Sequence, residues 1–190
     1  IRVDKVKEDT AFKRGPFVAV EMTVLKTFEG SQPGFDYNRK TQLPLHRVGE
    51  SISDIMMESN VAFEGRLKAF VMTSCGLDED DFANEETPGE LIEEAVAGTL
   101  DETTGERDGI SPAEGAIIEV RAKTVVKRDA KAKAEADLTN DDVYTQIDYR
   151  RLVPAVEVRE LLDERTIARF LPDLDEQIAA EAETGLEPAG

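Results

Sequence analysis

Residues 17–28 read FVAVEMTVLKTF, and the reading of this stretch decides the fold class. Val18, Val20, Met22 and Val24 fall on one face of an extended chain, with Phe17, Ala19, Glu21 and Thr23 on the other. That is the period of a half-buried strand. Working outward, IRVDKVK (1–7) alternates in the same way, and TAFKRGP (10–16) between them reads as a turn with Lys13 and Arg14 at its tip. SQPGFDYNRK (31–40) is a loop with two Gly/Pro breakers, and QLPLHRV (42–48) is a short edge strand, because Pro44 cannot donate to a ladder.

The pattern changes over 50–100. Ile52, Ile55, Met56, Leu67, Phe70, Val71 and Cys75 recur closer to every 3.6 residues than every two, which predicts helix up to a stop at Gly76. DEDDFANEETPGE (78–90) reads as an acidic loop, ELIEEAVAGTL as a helix ending near Gly98, and 101–115 as polar turns. Alternation returns in AIIEVRAKTVVKR (116–128) and VYTQIDYRRLV (143–153), separated by a charged hairpin tip and closed by Pro154. A short amphipathic helix is expected over 156–171, and 172–190 reads as an acidic flexible tail.

The sum is a mainly β (α+β) chain in which a helical, acidic insert at about 50–115 separates a first set of strands from a final pair. This is the plan of an OB-fold-like five-stranded Greek-key barrel spanning residues 1–155. At 190 residues and 40 % hydrophobic, the chain has material for one modest core. No apolar run approaches the roughly 20 residues of a membrane span. With Cys75 alone, no internal disulfide exists, and with one cysteine and one histidine (His46) a His/Cys zinc site is excluded. The chain starts at Ile1 rather than Met, so a short preceding stretch is expected, and no secretory signal is legible.

The net charge of −18 is segregated. Residues 1–50 carry nine basic and seven acidic side chains and 116–151 carry eight and seven, whereas 51–115 carry three and seventeen and 152–190 three and ten. The cations thus sit on the strand-bearing segments. Binding of a single nucleic-acid strand needs cations to follow phosphates and flat rings on which bases stack. Arg121, Lys123 and Lys127 share one strand face, and Tyr144 and Arg150 share a face of the next. If the two strands pair with those faces aligned, they make a basic platform carrying an aromatic. The loops add Lys13, Arg14, Phe35, Tyr37, Arg39, Lys40, Lys131 and Lys133. The plainer alternative is a solvated charged face. Phe17, Phe28 and Tyr149 are assigned to the core.

Catalytic patterns are thin. DEDDF (78–82) gathers four carboxylates, but two-metal nucleases draw theirs from separate rigid elements. DLTNDD (137–142) lacks the central glycine and terminal glutamate of a calcium loop. Cys75 on an apolar helix face is expected to be buried and inert, and His46 to lie at the surface. Neither a phosphate-binding loop nor a dinucleotide fingerprint is present. The reading is a protein that is not an enzyme and takes no cofactor or metal.

GPFVAVEMTVLKTFEGSQPG (15–34), GRLKAFVMTSCGLDEDDF (65–82), GAIIEVRAKTVVKRD (115–129) and YTQIDYRRLVP (144–154) together resemble the small OB-fold single-stranded-DNA-binding proteins of tailed bacteriophages. The likeness rests on the Val24–Leu25 pair, the Gly76–Leu77 helix end, Gly115 to Val120, the closing-strand Tyr144 and Tyr149, and the acidic C-terminus. It implies a protein that coats single strands in phage replication and recombination, in the cytoplasm of the infected host. It further implies that the acidic tail recruits polymerase or helicase partners or occupies the protein's own groove, and it leaves self-association open. The tail lacks a terminal aromatic, and the insert is unusually acidic. The competing class is a virion accessory protein of capsid or tail, also small, acidic and β-rich, which would ignore oligonucleotides. An ordinary protein of a salt-loving organism is a third reading.

Overall fold

The computed structural model describes residues 1–9, 15–84, 88–101 and 103–184. Strand β2 (Phe17–Thr23) is the centre of a three-stranded antiparallel sheet, flanked by β1 (Arg2–Asp9) and β5 (Ser51–Met57). Between β2 and β5 the chain makes an excursion that carries a two-residue hairpin, β3 (Phe35–Asp36) and β4 (Thr41–Gln42). Three helices follow: α1 (Phe63–Cys75), α2 (Glu79–Asn84) and α3 (Pro88–Ala97). The chain then forms a long antiparallel ribbon, β6 (Ile118–Val126) and β7 (Val143–Leu152), and ends in α4 (Ala155–Leu161), α5 (Glu164–Phe170) and α6 (Leu174–Thr184). Among the described residues helix exceeds strand, about 35 % against 28 %, so the architecture is mixed α/β rather than mainly β.

The alternation of β2 is realised as expected. Val18, Val20 and Met22 are buried and face α1, which contributes Leu67, Phe70 and Val71 to the same core. The strand stops at Thr23, short of Phe28. Val24 and Leu25 stay buried but leave the ladder, held by Val24 N–H to Glu50 O and Gly49 N–H to Val24 O. Helix α1 ends where glycine was expected to end it: Gly76 takes φ +68° and its N–H bonds Met72 O.

Residues 51–57 overturn a helical expectation. They form β5, with an unbroken seven-pair register against β2. Its inward face is Ile52, Asp54 and Met56, and Ile55 points outward, half exposed. A carboxylate on the inward face hid the two-residue period, and the Ile52–Ile55–Met56 spacing then imitated a helix. The strand expected over 42–48 is also absent beyond Thr41–Gln42, and Leu43, Leu45 and Val48 are exposed.

Of the acidic segment expected as a loop, Glu79–Asn84 is helical, with Asp78 just before it. Asp78 accepts from the N–H groups of Asp80 and Asp81, and Asp81 accepts in turn from Asp78 N–H at 2.7 Å. Carboxylates at a helix start satisfy orphan donors and oppose the dipole, and Phe82 anchors the turn in the core. DEDDF is therefore a helix start. Helix α3 closes at Gly98 (φ +88°), where a Cβ would meet Ile110 N at 2.7 Å, so only glycine fits.

The ribbon is attached to β1 by Val3 N–H to Ala116 O, Gly115 N–H to Val3 O and Ile118 N–H to Ile1 O. The sheets remain open, since among the described residues no ladder joins β5 to β7. What crosses that gap is a side-chain cluster: Asp54 on β5 accepts from Tyr149 Oη on β7 (2.7 Å) and pairs with Arg66 on α1 (2.5 Å).

The C-terminal segments also differ from expectation. The single helix over 156–171 is two, broken at Leu162 because Asp163 caps α5 by accepting from Thr166 N–H. Residues 174–184 of the expected flexible tail are α6. Leu171, Leu174 and Ile178 fall at i, i+3 and i+7 and pack with Leu25, Ile117, Val153 and Val158 in a second core. Glu181 reaches back to accept from Ala155 N–H at 2.9 Å. Only 185–190 of that tail lie outside the described residues.

Candidate nucleic-acid interface

The β6–β7 register aligns the faces on which the platform depends. Arg121 pairs with Asp148, Lys123 with Gln146 and Val125 with Tyr144, and directly opposed residues share a face. A bulge between Glu119 and Val120 leaves Arg150 as the unopposed residue at the root end of that face. Residues 121–124 are all exposed, and so are Tyr144 (41 %) and Arg150. In the middle stands Asp148, which sequence reading passed over. It lies 3.1 Å from Lys123 Nζ and 3.9 Å from Arg150, and it accepts from Gln146 Nε2. The face therefore carries Arg121, Lys123 and Arg150 around Asp148, with the Glu119–Arg151 pair at its root and Arg121 making no ion pair among the described residues. Arg151, by contrast, is held by Glu119 (3.1 Å) and Glu157 (2.5 Å).

The loop residues divide. Lys13 and Arg14 lie outside the described residues. The others meet at the ribbon tip, where three single-turn 3₁₀ helices fill 128–142. Asn140 is the junction. Its Oδ1 accepts from Tyr37 N–H (2.7 Å), its N–H donates to Asn38 Oδ1 (3.0 Å), and its Nδ2 donates to Asp36 Oδ1 (3.0 Å). The β3–β4 hairpin is thereby docked on the tip. Lys40, in the left-handed region at φ +54°, donates to Leu138 O, and Lys127 donates to Asp141 O. Lys133 pairs with Asp142 (2.6 Å) and Arg39 with Asp36 (3.6 Å), while the Lys131 ammonium makes no ion pair among the described residues. Several lysines expected to meet phosphates thus hold the tip together.

Phe35 and Tyr37 make an edge-on pair with centroids 5.0 Å apart. Phe28, assigned to the core from sequence, is exposed instead, with Lys26 over its ring. Tyr149 is core, as assigned, against Phe70 at 5.2 Å. Cys75 is half-buried and its thiol pKa is pushed up by burial, and His46 is at the surface beside Glu50. Sequence reading missed Asn140 as a junction; its only signal was a polar tip one residue before the paired aspartates 141 and 142.

The tip has a pH signature. The Lys133 ammonium, then the N–H and hydroxyl of Thr139, hold Asp142 down to about 2 from 3.8. A depressed carboxylate pKa contributes stability that is present above the unfolded value and lost as pH falls through the folded one. Tip order should therefore persist below pH 3.8 and be lost toward about 2. We expect the Thr139 and Asn140 amide signals to titrate with that low midpoint, and Lys133→Ala to move it back up. A midpoint already at 3.8 in the unmodified protein would contradict the geometry.

No group of three or more His, Cys, Asp or Glu placed to hold a metal ion occurs among the described residues, and no described helix is long and apolar enough to cross a membrane. No family model matches the chain, and neither curated proteins nor solved structures contain a match to it.

Proposed function

We propose that the protein binds single-stranded nucleic acid, in the first place single-stranded DNA, along the exposed face of the β6–β7 ribbon. The observation that carries the reading is the register: it collects Arg121, Lys123, Tyr144 and Arg150 on one exposed face, where phosphates and a stacked base can be met together. The action is non-catalytic coating. The order of the long strands β1, β2 and β5, then helices, then β6 and β7 supports an OB-type barrel left open between β5 and β7. The same reading extends to coating in phage replication and recombination in the host cytoplasm. There the acidic face of α6, rather than a loose tail, would meet basic regions of partner proteins such as a polymerase or helicase.

The test is fluorescence anisotropy of labelled oligo(dT) at two salt concentrations, with the matching duplex as control. Tight binding to the single strand is expected, with log affinity falling against log salt at a slope of ~0.7 per phosphate contacted. Absence of binding at low salt would overturn the reading and favour a virion accessory role.

A further inference from the structure

Two stretches leave the main body and meet again at their far ends. One is the excursion 24–50 between β2 and β5, and the other is the β6–β7 ribbon. At the root, Leu25 packs with Ile117 and Val153. At the tip, Asn140 bonds Asp36, Tyr37 and Asn38. Between these points neither stretch covers the other. Residues 28–32 and 41–50 of the excursion are all exposed, as are 121–124 of the ribbon. Among the described residues, no hydrogen bond or ion pair joins 28–34 or 43–48 to the two ribbon strands. Main chain closed at both ends around an uncovered middle is an arch, and its exposed stretch on β6, residues 121–124, is roughly 13 Å long at ~3.3 Å per residue.

The chemistry of the two sides is complementary to one ligand class. Ile117 alternates onto the same face as Arg121 and Lys123, so the root contact is made on the cationic side of the ribbon. The excursion carries Phe28 and Phe35, both exposed, the first under Lys26 and the second edge-on to Tyr37. Cations on one side and partly exposed rings on the other suit a strand whose phosphates and unstacked bases point in opposite directions. The Asn140 contacts are exposed hydrogen bonds, the kind that opens locally without unfolding the core, and beside them Lys40 donates to the carbonyl of the buried Leu138.

We propose that this arch is the path of the bound single strand, with Asn140 as its latch. The inference rests on the single-strand-binding reading and deepens it: a strand with a free end can thread, whereas a closed circle enters only when the latch opens. The test uses the full chain with Asn38→Cys and Asn140→Cys in a Cys75→Ser background, closed by a short bis-maleimide, with closure confirmed by mass. The ligands are a linear oligo(dT) with one free end and a covalently closed single-stranded circle, each read by gel shift. The open protein should bind both. Protein closed beforehand should keep the linear strand and lose the circle, and protein closed after mixing should retain the circle at salt that strips the open form. Equal capture of the circle by open and pre-closed protein would overturn the arch. So would loss of both ligands on closure, since a free end would then have no path. Failure of the open protein to bind either ligand would instead overturn the single-strand reading itself, and the arch with it.

Discussion

Replacing Asp54 with alanine is expected to destabilise the fold by about 3–5 kcal/mol, the cost of leaving a buried partner charge uncompensated. Asp54 is 4 % exposed and lies between two donors, Arg66 Nη2 at 2.5 Å and Tyr149 Oη at 2.7 Å. Arg66 Nε already has no partner, so removing the carboxylate strands the guanidinium almost entirely. Burial, and then the Asp54 charge, raise the Tyr149 pKa far above its ordinary value, so the phenol remains a donor at any working pH. Tyr149→Phe keeps the ring against Phe70 and removes one donor, for a smaller loss of about 1–3 kcal/mol. The double variant Asp54→Leu, Arg66→Met should recover much of the single-variant loss, because a buried ion pair exchanged for apolar groups is often neutral. Urea midpoints of the four proteins decide it. An Asp54→Ala protein as stable as the parent would mean that this cluster does not tie β5, α1 and β7 together.

That cluster also shows where the sequence was legible and where it was not. β2, the ends of α1 and α3, and both ribbon strands could be read, because each follows a local rule: a two-residue period, or a glycine at a positive φ. β5 could not, because Asp54 occupies an inward position that only its two distant partners make tolerable. Arg66 lies 12 residues away and Tyr149 95, and no local pattern announces either. The same holds for α6. Its acidic composition reads as a solvated tail, and the Leu171, Leu174 and Ile178 stripe acquires meaning only against Val153 and Val158. For the candidate interface, the residues of the ribbon face could be chosen from alternation alone. Their alignment needed the register, and the neutralising role of Asp148 needed the distances. The docking of residues 36–38 on Asn140 joins positions about a hundred apart in the chain, beyond any periodic signal.

On the ribbon face, Tyr144→Ala should weaken binding of oligo(dT) by about 1–3 kcal/mol, the usual worth of one stacked base. Arg121→Ala and Lys123→Ala should each lower the salt slope by ~0.7, one phosphate contact apiece. Arg151→Ala should leave the slope unchanged, because its guanidinium is already committed to Glu119 and Glu157. The most discriminating member of the series is Asp148→Asn. In the folded protein Asp148 competes with phosphate for Lys123 and Arg150. Removing its charge frees both cations and abolishes a repulsion, so affinity should rise and the slope should steepen. A solvated face with no ligand predicts no change in binding. There, loss of an exposed pair costs at most about 1 kcal/mol of stability and changes no binding. The two readings therefore differ in whether one substitution raises affinity, measured at two salt concentrations. An Asp148→Asn protein with unchanged or weaker affinity would remove the ribbon face from the binding surface, whatever the parent protein binds.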